Sequence, residues 1–376
     1  MRLQSLKLII RLVAAVVTAA TSIAFASFLP SSLTQATSAD WVKTMDNTGL
    51  STTGIAVPQA SNDSFDAWQG SYIFFGKDSG KPIKFRVVAP RTEDYGGSTM
   101  FLNSDDVLFD YEFDCDGVNE WKDCGKYIYS DLYMYLNFKM LYDSFDPVER
   151  DSIFTSTTKG GEDLDEDKIF VPSADEVVSS SAAARNGDVY WLRTPDASCS
   201  DLVKVVDSEG KVTVAPAKSK LGVAPALNID LDSVLFASVI SGNPGKTGAT
   251  YKLTLLDKDI ELSSSNEGWT TVLNSKVTVP FAISGENAFS VNQMSVLILS
   301  DKYQPANANG NNILYYAPFD SSDLANGEGT FTLPSDLDIS GWGTDYHVYI
   351  LAENINGVKE TDYSSNPVEV VMFENN

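Results

Sequence analysis

One histidine, His347, is present in the 376 residues of the chain. It stands in Tyr346-His347-Val348-Tyr349-Ile350, alternating with apolar residues as in a strand. A single imidazole excludes a His-rich zinc centre and leaves a Ser-His-Asp or Cys-His catalyst without support. No His-Glu-x-x-His, Gly-x-Ser-x-Gly or phosphate-cradling glycine loop occurs. Glycoside hydrolysis needs only two carboxylates. The 51 acidic residues could supply them, yet no acidic pair sits in a recognisable catalytic context, and no enzymatic activity is expected.

The best ion-site candidate is Asp110 to Asp123, with Asp110, Asp114, Asp116, Asn119, Glu120 and Asp123 around Gly117. Hard oxygen ligands at alternating positions about a glycine turn suit calcium, and Asp110, Asp114, Asp116 and Glu120 are the candidate ligands. The full EF-hand pattern is absent: Gly117 follows two Asp rather than three ligands, and Gly125 stands where the closing Glu would be. A solvated acidic loop is the plainer alternative. No other cofactor is implied. Trp121, Trp191 and Arg193 are the candidate ligand-binding residues, because aromatic faces suit the apolar C–H patches of sugar rings. A core role is the plainer reading of both tryptophans, because Trp191 lies in a strand between Tyr190 and Leu192. Cys115 and Cys124 would close a short loop if oxidised, leaving Cys199 odd; a reduced pair stays open as the alternative.

These residues need elements to position them. Strands are expected at Ser71–Gly76, Lys84–Pro90 and Thr99–Leu102. Ser130 is a plausible N-cap, with Asp131 in the first turn and Leu132, Leu136 and Met140 at helical spacing. Ser173-Ala174-Asp175-Glu176 fits a capping box. Strands follow at Asp188–Arg193, and at Leu202–Val206 and Lys211–Val214 around the turn Asp207-Ser208-Glu209-Gly210. Pro225–Ile229 closes the unit. Strands, helices, then strands predict an α+β head domain over 66–240. Ser241 to Gly248 is rich in Gly and Pro, so 241–249 reads as a linker. Beyond it, strands are expected at Tyr251–Leu256, Lys276–Ile283, Ser295–Ser300, Ile313–Ala317, Gly329–Leu333, Tyr346–Glu353 and Val368–Met372. This spacing predicts an all-β sandwich over 250–376, without the Cys–Trp–Cys pattern of antibody domains.

Arg2, Lys7 and Arg11 precede an uncharged run, Leu12 to Ala26, that ends in small residues. The run is about 15 residues against the roughly 20 that a bilayer needs, so 1–39 reads as a secretory signal peptide, cleaved after about 26 or 39. A flexible leader, 40–65, follows. The C-terminal Glu369-Val370-Val371-Met372-Phe373-Glu374-Asn375-Asn376 carries no apolar tail, so a soluble product is expected. A hydrophobic fraction of 43% with 16 Tyr and 19 Phe argues for packed domains rather than disorder. A formal net charge of −24 repels nucleic acid and anionic membranes.

Residues 70 to about 240 resemble a bacterial secreted family, the domain of unknown function numbered 6273. The resemblance rests on Ile73-Phe74-Phe75-Gly76, on Ile83-Lys84-Phe85-Arg86-Val87-Val88, and on Asn119-Glu120-Trp121 leading to Tyr135-Leu136-Asn137. Trp191-Leu192-Arg193-Thr194-Pro195 and Leu221-Gly222-Val223-Ala224-Pro225-Ala226-Leu227-Asn228 complete it. Ala224 stands where that family usually has Arg, and Thr194 where Ser is common. The layout is also similar to C-type-lectin-like folds, an analogy of fold rather than function. The C-terminal half resembles the immunoglobulin-like modules that often follow this domain, on Leu253-Thr254-Leu255-Leu256-Asp257 and Thr361-Asp362-Tyr363-Ser364-Ser365-Asn366.

The expectation is therefore an exported bacterial surface or secreted protein that binds an extracellular glycan or protein without catalysis. The alternatives are a structural component of the envelope or a surface fibre, and a carbohydrate-active enzyme working through Asp and Glu alone.

Overall fold

A computed structural model describes residues 45–46, 55–58, 68–114, 126–158, 164, 166–179, 185, 187–197, 201–264, 271–273, 275–304 and 313–371. The expected signal peptide, most of the leader, and Cys115, Cys124 and Cys199 lie outside them. The described chain is mostly β-sheet. Its first strands are β1 (Met45–Asp46), β2 (Tyr72–Asp78), β3 (Lys81–Thr92), β4 (Thr99–Ser104) and β5 (Phe109–Glu112).

Helix α1 (Asp131–Tyr135) follows and continues through a π-helical turn, Leu136–Met140, into Leu141–Ser144. Ser130 caps it as expected, its hydroxyl accepting from the Tyr133 N–H at 3.1 Å. Leu132, Leu136, Met140 and Leu141 are its buried side. Helix α2 (Pro147–Ser152) opens with Pro at N1 and a reciprocal capping box between Asp146 and Glu149. After β6 (Ile169–Phe170), α3 (Ala174–Ser179) has the expected box, Ser173 and Glu176 each accepting the other's N–H.

The remaining strands of this half are β7 (Tyr190–Pro195), β8 (Leu202–Val206), β9 (Val212–Pro216), β10 (Lys220–Val223), β11 (Ala226–Asp230) and β12 (Val234–Ser241). In the β8–β9 turn, the Asp207 carboxylate accepts from the Glu209 and Lys211 N–H groups, and Gly210 takes φ +77°.

The second half holds β13 (Thr250–Leu256), β14 (Glu261–Ser264), β15 (Thr271–Leu273), β16 (Lys276–Ser284), β17 (Gln293–Leu299), β18 (Ile313–Pro318) and β19 (Ser321–Asp323). It ends with β20 (Glu328–Thr332), β21 (His347–Asn354), β22 (Asp362–Ser364) and β23 (Val368–Glu369).

Strand β13 joins the halves. Residues 241–249 turn the chain between β12 and β13, which pair antiparallel from Val234↔Leu255 to Ser241↔Thr250. On its other edge β13 runs parallel to β2 over Thr250–Lys252 and parallel to β22 over Thr254–Leu256. One 13-stranded sheet thus runs β18-β17-β21-β22-β13-β2-β3-β4-β11-β6, with β12 on β13, β1 on β12 and β23 on β21 beside that path. A second sheet, β5-β10-β7-β8-β9, belongs to the first half, and a third, β14-β16-β20-β19, to the second.

The large core of the first half gathers Phe85 and Leu102 from the long sheet, Leu132 and Leu136 from α1, and Trp191 and Val205 from the second sheet. In the second half two sheets face each other across Val277, Phe281, Val296, Ile298 and Ile350. The period-2 alternation of β17 and β21 sends Leu297, Leu299, Tyr349 and Leu351 to the opposite face, where they pack with Leu235 and Phe236. These two strands are buried on both faces, which explains their nearly unbroken apolar runs.

Candidate functional site

Helix α1 has a second apolar side. Met134, Phe138 and Tyr142 recur every fourth residue and are 52, 62 and 62% exposed, with Tyr129 just ahead of the helix at 51%. A globular helix ordinarily shows one apolar stripe, turned to the core. Here Leu132, Leu136 and Met140 supply that stripe, so packing leaves the outer row unexplained. Further rings extend this surface. Tyr135 lies 4.6 Å from Tyr111 and 5.0 Å from Phe109 between ring centroids, and Tyr133 meets Phe138 edge-on at 6.4 Å. Cations already sit over two of the rings: Arg150 over Tyr142 at 5.0 Å and Lys126 over Tyr129 at 5.9 Å.

An open groove of about 260 Å³ adjoins the start of the helix, lined by Asp110, Tyr111, Glu112, Asp131 and Lys220. Its geometry follows from β5 and β10. Asp110 and Glu112 share one side of β5 by the period-2 rule, and antiparallel register sets Lys220 opposite Glu112. Asp131 enters from the first turn of α1, where an acid favours the helix dipole.

Of the expected calcium ligands, Asp110 lines this groove, while Asp114 lies past the end of β5, its N–H donating to the Ala217 carbonyl at 3.2 Å. Asp116 and Glu120 lie outside the described residues, as does Trp121. Among the described residues no three His, Cys, Asp or Glu side chains converge closely enough to hold a metal. His347 is buried on β21, its Nδ1 2.8 Å from the Glu369 carboxylate.

Two candidate ligand residues are corrected by their surroundings. Trp191 is fully buried against Phe113, and its indole N–H donates to the Tyr111 carbonyl at 2.8 Å, so no ring face is open to a sugar. Arg193 is buried too. It forms a two-pronged pair with Glu176 and donates to the Val171 carbonyl at 3.1 Å, over the Phe170 ring. Tyr95 donates to the same carboxylate at 2.7 Å. Burial alone would raise the Glu176 carboxyl, but the Arg193 guanidinium and these hydrogen bonds hold it below the ordinary value. The pair is a structural tie between β7 and α3.

The fully buried Ala224 packs with Tyr190, Leu192 and Val177. A guanidinium reaches this neighbourhood from elsewhere in the chain. Buried Arg185 donates to the Tyr190 hydroxyl at 2.7 Å, to the Ser104 carbonyl at 2.9 Å and to Asn103, whose own amide donates to the Ala224 carbonyl at 2.9 Å. The aromatic outer row of α1 was within reach of sequence reasoning as a second helical stripe beside Leu132, Leu136 and Met140.

The first half is thus a β-rich domain with an exposed apolar row on α1. Residues 97–231, which include α1, the groove, Arg185 and Arg193, match the family model described as Domain of unknown function (DUF6273). No curated protein and no solved structure matches the chain.

Proposed function

We propose that this is an exported bacterial surface or secreted protein that binds an extracellular glycan or protein without catalysis. The observation that carries the reading is the row Met134, Phe138 and Tyr142, which stays more than half exposed on the helix whose start the groove adjoins. Aromatic side chains offer large, rigid contact area at low entropic cost, as in binding loops generally. The first half acts as the recognition head, with a C-type-lectin-like layout. The second half acts as an immunoglobulin-like spacer or second recognition module.

The test is binding of the chain from Asp40 onward to arrays of glycans and surface proteins, with calcium and with chelator. Saturable binding is expected, weakened at least tenfold by Phe138→Ser with Tyr142→Ser while the unfolding midpoint stays unchanged. An array without saturable binding would sink the reading. Loss of binding with chelator would bring Asp110, Asp114, Asp116 and Glu120 back as calcium ligands. An envelope or fibre component is the second reading. It is favoured by β18, which among the described residues ends the long sheet and pairs with β17 alone, an arrangement open to strand addition. Concentration-dependent assembly in sedimentation would support it.

A further inference from the structure

We infer that the segment Gly357–Tyr363 of the second half is a latch that fixes the aromatic helix of the first half. The keystone is Glu149, a carboxylate only 6% exposed at the α1–α2 corner. Its Oε1 accepts from the Gly76 N–H of β2 at 3.1 Å and from the Thr361 hydroxyl at 2.7 Å. Its Oε2 accepts from the Asp146 N–H at 3.2 Å, closing the α2 capping box. One side chain therefore ties a head strand, a helix cap and the second half together. Beside it the Tyr363 hydroxyl donates to the Asp146 carboxylate.

The latch is itself built to hold its shape. Lys252 of β13 pairs with Asp362 at 2.7 Å and donates to the Gly357 carbonyl at 3.3 Å. Asn356 donates through its N–H to Asp362 at 2.7 Å and through its amide to the Thr361 carbonyl at 2.7 Å. On the head side, Phe145 packs on Phe75 at 5.3 Å. From α2, Arg150 donates to the Phe145 carbonyl at 2.6 Å and covers Tyr142 at 5.0 Å. A continuous set of contacts thus runs from Thr361 through Glu149 and Arg150 to the outer row of α1.

Docking of the latch and order in α1 then stabilise each other, and the coupling is reciprocal. That the held surface is the ligand surface rests on the function proposed above; the latch itself does not. The test is hydrogen exchange on the full chain without ligand. Thr361→Val, which keeps the shape and removes the hydroxyl, is expected to speed exchange of the amides over 138–149 by about tenfold or more. The β16 and β17 amides should stay unchanged, and Thr361→Ser should restore protection. Unchanged helix amides in Thr361→Val would overturn the latch, as would equal acceleration throughout both halves. Failure of Thr361→Ser to protect the helix would overturn it as well, whether or not the Thr361→Val chain folds.

Discussion

At the scale of the residue, the buried acids divide by the sign of their effect. Glu353 is fully enclosed, accepts from the Tyr316 hydroxyl at 2.8 Å, and is pushed by burial up to about 7 from an ordinary 4.5. Its unfolded form ionises first, so its contribution to stability is complete below about pH 4.5 and is lost as pH rises through about 7. A rise of that size makes the loss on the order of 3 kcal/mol. Glu353→Gln should therefore flatten the dependence of the urea midpoint between pH 5 and 8. Glu176 has the opposite sign, because Arg193 lowers its carboxyl. Its contribution is present above the unfolded value and fades as pH falls through the folded one. Glu176→Ala leaves the guanidinium buried without its counter-charge, and urea unfolding should register a loss of about 3 kcal/mol or more. Neither acid's role is visible in the sequence: Glu353 looks like one more polar residue at a strand end. The capping partner of Ser173 was legible in Glu176; its pairing with Arg193 depends on a contact between elements.

At the scale of the element, local rules carried far. Most expected strands appear within a few residues of their expected bounds, and the helix starts at Ser130 and Ser173 are as read. The signature of α2 also stands in the sequence, as Asp146-Pro147-Val148-Glu149. By contrast, β5 hides in Phe109-Asp110-Tyr111-Glu112, where acids alternate with aromatics and the charge suggests a loop. The Gly-rich stretch before Thr250 reads as a linker because glycine marks a turn and a tether alike; here it joins two paired strands. Gly76 tests the packing of the α1–α2 corner. It holds φ +66°, and a Cβ there would lie 2.4 Å from the Phe145 ring. Gly76→Ala should destabilise by about 2 kcal/mol or more, seen as a lower urea midpoint, because the strain adds to the clash.

At the scale of the whole molecule, the halves share more than a covalent connection. Strand β13 serves β2 and β22 along one edge, and Glu149 and Asp146 reach partners in the segment before and within β22. Calorimetry of the chain from Asp40 onward should show one cooperative transition; two separable ones would mean the shared sheet does not couple the halves. None of this joining was legible, since partners such as Glu149 and Thr361 lie 212 positions apart and no local pattern encodes them. The shared strand also orders events in time. A ribosome makes Tyr72 long before Thr250, and Leu256 long before Asp362, so β2 waits with a bare edge until most of the chain has appeared. The last partner of β13 arrives only near the end of synthesis. Such distant pairings fold slowly, so the central sheet is the part of the molecule that closes last.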